Sequence, residues 1–274
     1  MYEVQFSIAE DKEQLHNLYN ICFADDHEFS EWYFENIWDY SKTLVMKSEG
    51  KIVSSLQMLP LNFSNGINTV NGCYIFAVCT HPEYRGQGYA GSIINECFDI
   101  CRENKNDFCA LIVRESSLLN FYEKLGFRSV FDVTQTNGKS SVGYVDILSF
   151  SDIPDIDRIY KAHTNNFFSS VRDSEFWQTQ MCVYKVFGLK ENGKLISYCF
   201  GDVRDNAFYS VEALGEKVDK LCSYAAFHEG TEEYTMLTVP GHKSKTIGCI
   251  KNISKESDLL FNDSAKGYLN LYFN

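Results

Sequence analysis

The chain has 274 residues, enough for two domains of about 100–200 residues each. With 45% hydrophobic and 15% aromatic residues it can bury a sizeable core, which excludes a disordered chain. Its 25 Lys and Arg against 37 Asp and Glu leave a net charge of −12, which argues against nucleic acid as the main partner and suits a cationic ligand.

The N-terminus, Met1-Tyr-Glu-Val-Gln-Phe6, has no basic segment followed by an apolar run, so no signal peptide is expected. No uncharged apolar stretch reaches the ~18 residues a membrane span needs, so no membrane partner is expected either. Ten cysteines occur without a C-x-x-C pair, mostly inside apolar runs, as buried free thiols do. A reducing cytoplasm is the expected location.

In chain order, alternation at Tyr2, Val4, Phe6 and Ile8 predicts a strand. Helical spacing follows over 10–24 and again, rich in aromatics, over 29–40. Thr43–Lys47 and Ile52–Leu59 flank Gly50 as a hairpin. A strand from Asn71 to Thr80 stops at Pro82, which lacks a ladder donor. Residues 88–104 form an amphipathic helix with Ile93, Ile94, Cys97 and Cys101 on its apolar face. A strand over 108–114, a helix over 116–125 and a strand pair over 127–150 come next, with Asn137-Gly138 as the tight turn between the pair.

The acidic run around Pro154, Asp152 to Asp157, marks the boundary between halves 1–150 and 151–274. After a helix over about 155–167, Lys185–Ser197 repeats the pattern of Thr43–Ser54: apolar strand, Gly-Lys turn, apolar strand ending in Ser. A weak internal duplication follows from this. The chain closes on an alternating strand, Tyr268–Asn274.

The most informative segment is Val78-Cys-Thr-His-Pro-Glu-Tyr-Arg85-Gly86-Gln87-Gly88-Tyr89-Ala90-Gly91. A strand runs through a glycine-rich turn into a helix, and a helix N-terminus with unpaired N–H groups is an anion site. Gly86 and Gly88 allow close approach of a diphosphate, and Arg85 adds a positive charge. A P-loop is excluded, because Val133 stands where the first Gly would precede Gly138-Lys139-Ser140. Gly86-x-Gly88-x-x-Gly91 spells the dinucleotide fingerprint but has the wrong context, an Arg entry after a Pro-terminated strand. His228-Glu229 is not H-E-x-x-H, and no G-x-S-x-G occurs, so no catalytic metal or serine nucleophile is expected.

The segment resembles motif A of the GCN5-related N-acetyltransferases (GNAT), Q/R-x-x-G-x-G/A, through Arg85, Gly88 and Ala90. Its Val-x-Thr-x-Pro entry is similar to the aminoglycoside-acetylating "enhanced intracellular survival" group. The resemblance implies acetyl-CoA as co-substrate. Val78, Cys79 and Thr80 would pair with pantetheine through backbone atoms. The N–H groups of Gly86, Gln87, Gly88, Tyr89, Ala90 and Gly91 would hold the diphosphate.

Leu119-Asn-Phe-Tyr122-Glu-Lys-Leu-Gly126-Phe127 resembles motif B of the same superfamily, F-Y-x-x-x-G-F. By that resemblance the Tyr122 hydroxyl protonates the departing CoA thiolate, a task a phenol of pKa about 10 suits at neutral pH. Two positions depart from the pattern. Glu115 stands where many relatives contact pantetheine through Asn, and Ala110 where many carry a basic Glu. The general base stays open among Glu115, Glu31, His27 and, as in the aminoglycoside-acetylating relatives, the C-terminal carboxylate, here of Asn274.

The acidic, aromatic stretch Asp25–Tyr33 falls where the superfamily places its acceptor-binding helices. In the second half no Arg-x-x-Gly-x-Gly/Ala follows the strand Phe208–Leu214, so that copy is expected to lack CoA binding. Ser170-Val-Arg172-Asp173-x-x-x-Trp177 resembles a segment seen between such halves. The expected fold is α/β, a tandem acyl-CoA N-acyltransferase with a twisted mixed sheet flanked by helices in each half. The expected activity is transfer of an acetyl group to the primary amine of a small, cationic acceptor, in a chain that can form homo-oligomers. The alternative is a non-catalytic acyl-CoA sensor.

Overall fold

The computed structural model describes residues 2–24, 27–255 and 267–271. Strand β1 (Tyr2–Phe6) leads into α1 (Lys12–Cys22), which buries Leu15, Leu18 and Tyr19, and α2 (His27–Asn36), which buries Tyr33 and Phe34. The aromatic run predicts helix to residue 40, but α2 ends at Asn36. There the Tyr33 carbonyl takes both the Ile37 and Trp38 N–H groups at 2.9 Å, and Asp39 caps a separate turn at Tyr40–Lys42. The hairpin β2 (Thr43–Ser48) and β3 (Lys51–Ser64) forms as expected and continues into β4 (Thr69–Thr80). Helix α3 (Tyr89–Glu103), strand β5 (Phe108–Ile112) and the short α4 (Leu119–Lys124) complete the first half's run.

Strand β6 (Arg128–Lys139) corrects one expectation. Asn137-Gly138 is not a turn. It lies within β6, paired with Thr235 and Tyr234, and the Tyr234 ring occupies the space a Cβ on Gly138 would need. Glycine is required there by a cross-strand ring rather than by a bend.

Strand β7 (Asp146–Ile147) lies before residue 150 but pairs with β9, and the second half contributes α5 (Ile153–Thr164), β8 (Phe168–Ser170), α6 (Ser174–Val183), β9 (Lys185–Glu191), β10 (Lys194–Arg204), β11 (Ala207–Gly215), α7 (Val218–His228), β12 (Glu233–Thr238) and β13 (Ser244–Asn252). Within the described part of the expected C-terminal strand, only β14 (Gly267–Tyr268) pairs, and residues 272–274, Asn274 among them, lie outside the described residues. Residues 269–271 are buried but leave the ladder, with Leu271 at φ +59°.

One mixed sheet carries all fourteen strands found among the described residues, in the main order β1-β2-β3-β4-β5-β13-β6-β12-β11-β10-β9-β7. The order is a near palindrome. β2-β3-β4-α3-β5 is matched by β9-β10-β11-α7-β12, and each run makes a single parallel pairing of three residues, β4 with β5 and β11 with β12. The last strand of each run crosses over. β13 pairs with β5 at Gly248–Asn252, and β6 pairs with β12 at Thr134–Lys139. Each half is covered on both faces, giving four apolar clusters.

The second half is pinned by a fully buried ion pair. Arg172 donates to both Glu212 carboxylate oxygens at 2.7 and 2.9 Å and to the Asn270 carbonyl at 2.9 Å. Tyr198 and Tyr268 donate to the same carboxylate at 2.9 and 2.8 Å, and the Tyr160 ring lies 3.9 Å from the guanidinium. Every lone pair that would otherwise lose water has a donor, which is the condition under which a buried pair is tolerated. Replacing Glu212 by Ala leaves Arg172 charged and unpaired, and should lower unfolding free energy by about 3–5 kcal/mol in chemical denaturation. An unchanged midpoint would contradict this role.

Candidate acyl-CoA site

The site begins with a break in strand pairing. β4 pairs with β5 only at Gly72, Cys73 and Tyr74, opposite Phe108, Cys109 and Ala110, and then runs on to Thr80 alone on that edge. On its other edge the β3 register slips between Ser55 and Gln57, so that Ala77 and Val78 face Leu56. Ala77 takes φ +50°, a left-handed conformation that a non-glycine residue holds only under constraint. This is a β-bulge, and it bends β4 away from β5. β5 cannot follow, because β13 holds it along Gly248–Asn252 and the Val113 N–H donates to the Ile247 carbonyl at 2.7 Å. A wedge therefore opens between the ends of β4 and β5. Val78, Cys79 and Thr80 line its β4 side. The sequence carries no mark of the bulge, since alanine does not advertise a positive φ.

The end of β4 is fastened from β3. Ser54 Oγ donates to the Cys79 carbonyl at 2.7 Å and lies 2.9 Å from Thr80 Oγ1, and Ser55 Oγ is 3.2 Å from Cys79 Sγ. A turn at Pro82–Tyr84 follows, and then Gly86 and Gly88 at φ +78° and +83°. Gly88 is the N-cap of α3, and a Cβ there would meet nothing within 4 Å. Conformation rather than space demands glycine, and the loop face is open to a ligand. The first-turn N–H groups of α3 have no intrahelical acceptor, and they lie at the positive end of the helix dipole.

Arg85 is exposed. Its Nε donates to the Thr80 carbonyl at 3.1 Å, and a terminal nitrogen lies 3.9 Å from Cys22 Sγ. The half-buried Cys22 thiol is lowered to about 7, first by hydrogen bonding from Cys79 and then by Arg85. This thiol, on α1 beside the loop, was not visible as a site residue in the sequence.

Tyr122 sits on α4 with its ring buried edge-on against Phe121 and Phe127. Gly126, at φ +87°, closes the helix. Phe127 N–H donates to the Tyr122 carbonyl at 3.1 Å and Gly126 N–H to Glu123 at 2.9 Å, the paired bonds of a Schellman motif. Lys251, from β13, donates to the Leu125 carbonyl at 2.8 Å and lies 4.7 Å over the Phe98 ring. The second half thus caps the helix that carries Tyr122. Burial raises the Tyr122 phenol well above its ordinary value, with Cys249 of β13 adding to the effect, so the hydroxyl stays protonated across the working range.

The remaining predicted residues are dispersed. Glu115 is exposed at the exit of β5 and accepts from Ser117 at 3.2 Å. Ala110 is buried in the β4–β5–β13 pairing. His27 and Glu31 are exposed on α2 with Glu28 and Glu35, and Asp25 and Asp26 lie outside the described residues. The sequence also missed a buried polar pair facing the bulge. Tyr33 of α2 donates to Gln57, which stands opposite Phe76.

Residues 4–130 match the family model described as "Acetyltransferase (GNAT) domain". Residues 4–130 are a GNAT domain. No curated protein sequence matches the chain significantly. Among solved structures, a probable N-acyltransferase from Enterococcus faecalis shares 16% identity at a TM-score of 0.71, over 95% of this chain and 75% of that one. Eis1 from Mycobacterium abscessus shares 8% at 0.64, over 94% and 75%. N-myristoyltransferase from Saccharomyces cerevisiae, solved with bound myristoyl-CoA, shares 12% at 0.61, over 92% and 79%. At such identities these likenesses concern the fold, and they extend over both halves. The family match assigns the acyltransferase-type domain to residues 4–130, and no helix among the described residues is long and apolar enough to cross a membrane.

The Cys22 environment is checked by alkylation. Its rate with iodoacetamide should rise through a midpoint of about pH 7, and Arg85→Met should move that midpoint upward. A midpoint at the ordinary thiol value of about 8.5 would contradict the described contacts.

Proposed function

We propose that the protein is an N-acetyltransferase that binds acetyl-CoA in the wedge between β4 and β5 and transfers its acetyl group directly to the primary amine of a small, cationic acceptor. The observation that carries this reading is the bulge at Ala77, which opens β4 beside an open glycine loop at a helix N-terminus. Pantetheine would extend along Val78, Cys79 and Thr80, with the diphosphate at the N–H groups of Gly86, Gln87, Gly88, Tyr89, Ala90 and Gly91. Arg85 would turn from the Thr80 carbonyl to the phosphates.

The deprotonated amine attacks the thioester carbonyl. Backbone N–H groups at the bulge stabilise the oxyanion, and Tyr122 gives its proton to the departing sulfur, so that the amide and free CoA–SH leave. Solvent restores the phenol proton. The exposed acids Glu28, Glu31 and Glu35 on α2, which has no Lys or Arg, favour a cationic acceptor.

The second half, 151–274, reads as a degenerate copy. β11 has its own register slip at Val211, yet β11 passes through Gly215 directly to α7, whose N-cap is Lys217 with no glycine loop before it. Beyond the paired residues, Asn270 donates to the Val211 carbonyl and Arg172 to Glu212, so the chain's own side chains take the groups a ligand would use.

Tyr122→Phe should lower kcat by roughly 10²-fold while leaving acetyl-CoA affinity unchanged. Unchanged kcat would remove Tyr122 from the chemistry. A chain that binds acetyl-CoA but acetylates no polyamine, aminoglycoside or lysine peptide would instead be an acyl-CoA sensor, a reading favoured by the buried Ala110.

A further inference from the structure

We propose that Cys73, Cys97, Cys101 and Cys109 form a structural site for a thiophilic d10 metal ion, zinc above all. Three elements supply the four thiols. Cys73 on β4 and Cys109 on β5 are direct partners in the three-residue parallel ladder. Cys97 and Cys101 stand one turn apart on the buried face of α3, which packs on those strands.

The sulfurs of Cys73, Cys97 and Cys101 all lie within 4.8 Å of one another, and Cys109 Sγ is 3.4 Å from Cys101 Sγ. Zinc–sulfur bonds of about 2.3 Å in a tetrahedron place sulfurs about 3.8 Å apart. Cys73, Cys97 and Cys101 already meet that spacing within about an ångström, whereas Cys109 touches Cys101 but lies more than 4.8 Å from at least one of the other two sulfurs, so closing the tetrahedron takes a rotamer change at Cys109. All four side chains are buried, with Cys73 the most accessible at 4%. No carboxylate or imidazole belongs to the group, and an all-thiolate set selects zinc or copper(I) over magnesium or calcium.

Burying thiolates in an apolar cluster requires positive charge nearby. The metal ion itself supplies two charges, and Lys251 stands directly across from Cys109 on β13, on the same face of the sheet.

The sequence hid the site because its spacings, 24, 4 and 8 residues apart, follow no contiguous metal motif; only the β4–α3–β5 crossover assembles it. A metal here would clamp α3 to β4 and β5 one residue pair before the wedge opens. It takes no part in acyl transfer, so the inference stands apart from the proposed activity.

The test is metal content and cobalt substitution of the full chain. Protein purified under reductant without chelator should carry one zinc per chain by mass spectrometry. The reduced apoprotein should take up one Co²⁺ with thiolate-to-cobalt charge-transfer bands and the visible spectrum of a tetrahedral site. Cys97→Ser with Cys101→Ser should abolish both, whereas Cys182→Ser, which removes the exposed thiol of α6, should leave both intact. If the double variant fails to fold, the cobalt spectrum of the unsubstituted chain decides alone. Zinc below one-tenth of an equivalent without a cobalt–thiolate spectrum would overturn the proposal, as would a Cys101–Cys109 disulfide in the purified protein or loss of the metal on removing Cys182.

Discussion

The arrangement depends on the reciprocal crossing of β6 and β13. β13, from the second half, completes the edge of β5, and β6, from the first, completes the edge of β12. Backbone ladders leave little choice once a strand's N–H and carbonyl groups are buried, because each must find a partner. β13 fixes β5 while the bulge at Ala77 bends β4, and the wedge is the difference between the two. The same strand brings Lys251 to the end of α4, and so sets the position of Tyr122 from the other half of the molecule. Neither half is a closed unit, even though each has its own helices and apolar clusters.

The two halves repeat the same run of elements and diverge at the equivalent strand. Where β4 has Phe76 two residues past its paired segment, β11 has Glu212. A carboxylate at a buried bulge needs donors, and Arg172, Tyr198 and Tyr268 provide them, drawing Asn270 and the segment 267–271 into the core. The same local geometry that opens a wedge in one half is filled by charge and aromatic rings in the other. The segment after β11 agrees with this, since Gly215 is the one glycine before α7 and Lys217 takes the left-handed N-cap position that Gly88 holds in α3.

Much of this was legible in the sequence, and the failures have physical causes. The strand, glycine turn and helix at 78–104 could be read because a left-handed N-cap needs Gly88 and an amphipathic helix needs a 3.6-residue period. Gly126 announced the end of α4 for the same reason. The hairpins at Gly50 and Gly193 stood where expected, and their likeness reflected a real repetition of elements. Asn137-Gly138 misled because a glycine selected by a cross-strand Tyr234 looks like a glycine selected by a turn. The crossing of β6 and β13, the bulge at Ala77, the Tyr33–Gln57 pair and the four-cysteine cluster all arise from contacts between distant segments. No local pattern encodes such contacts.

The most direct test of the account is calorimetric titration of the full chain with acetyl-CoA. The account predicts one site per chain, lost when Gly88→Val forces a β-branched residue into φ +83°. Two sites would contradict the filled second half, and an absence of binding would contradict the wedge between β4 and β5 as an acyl-CoA site.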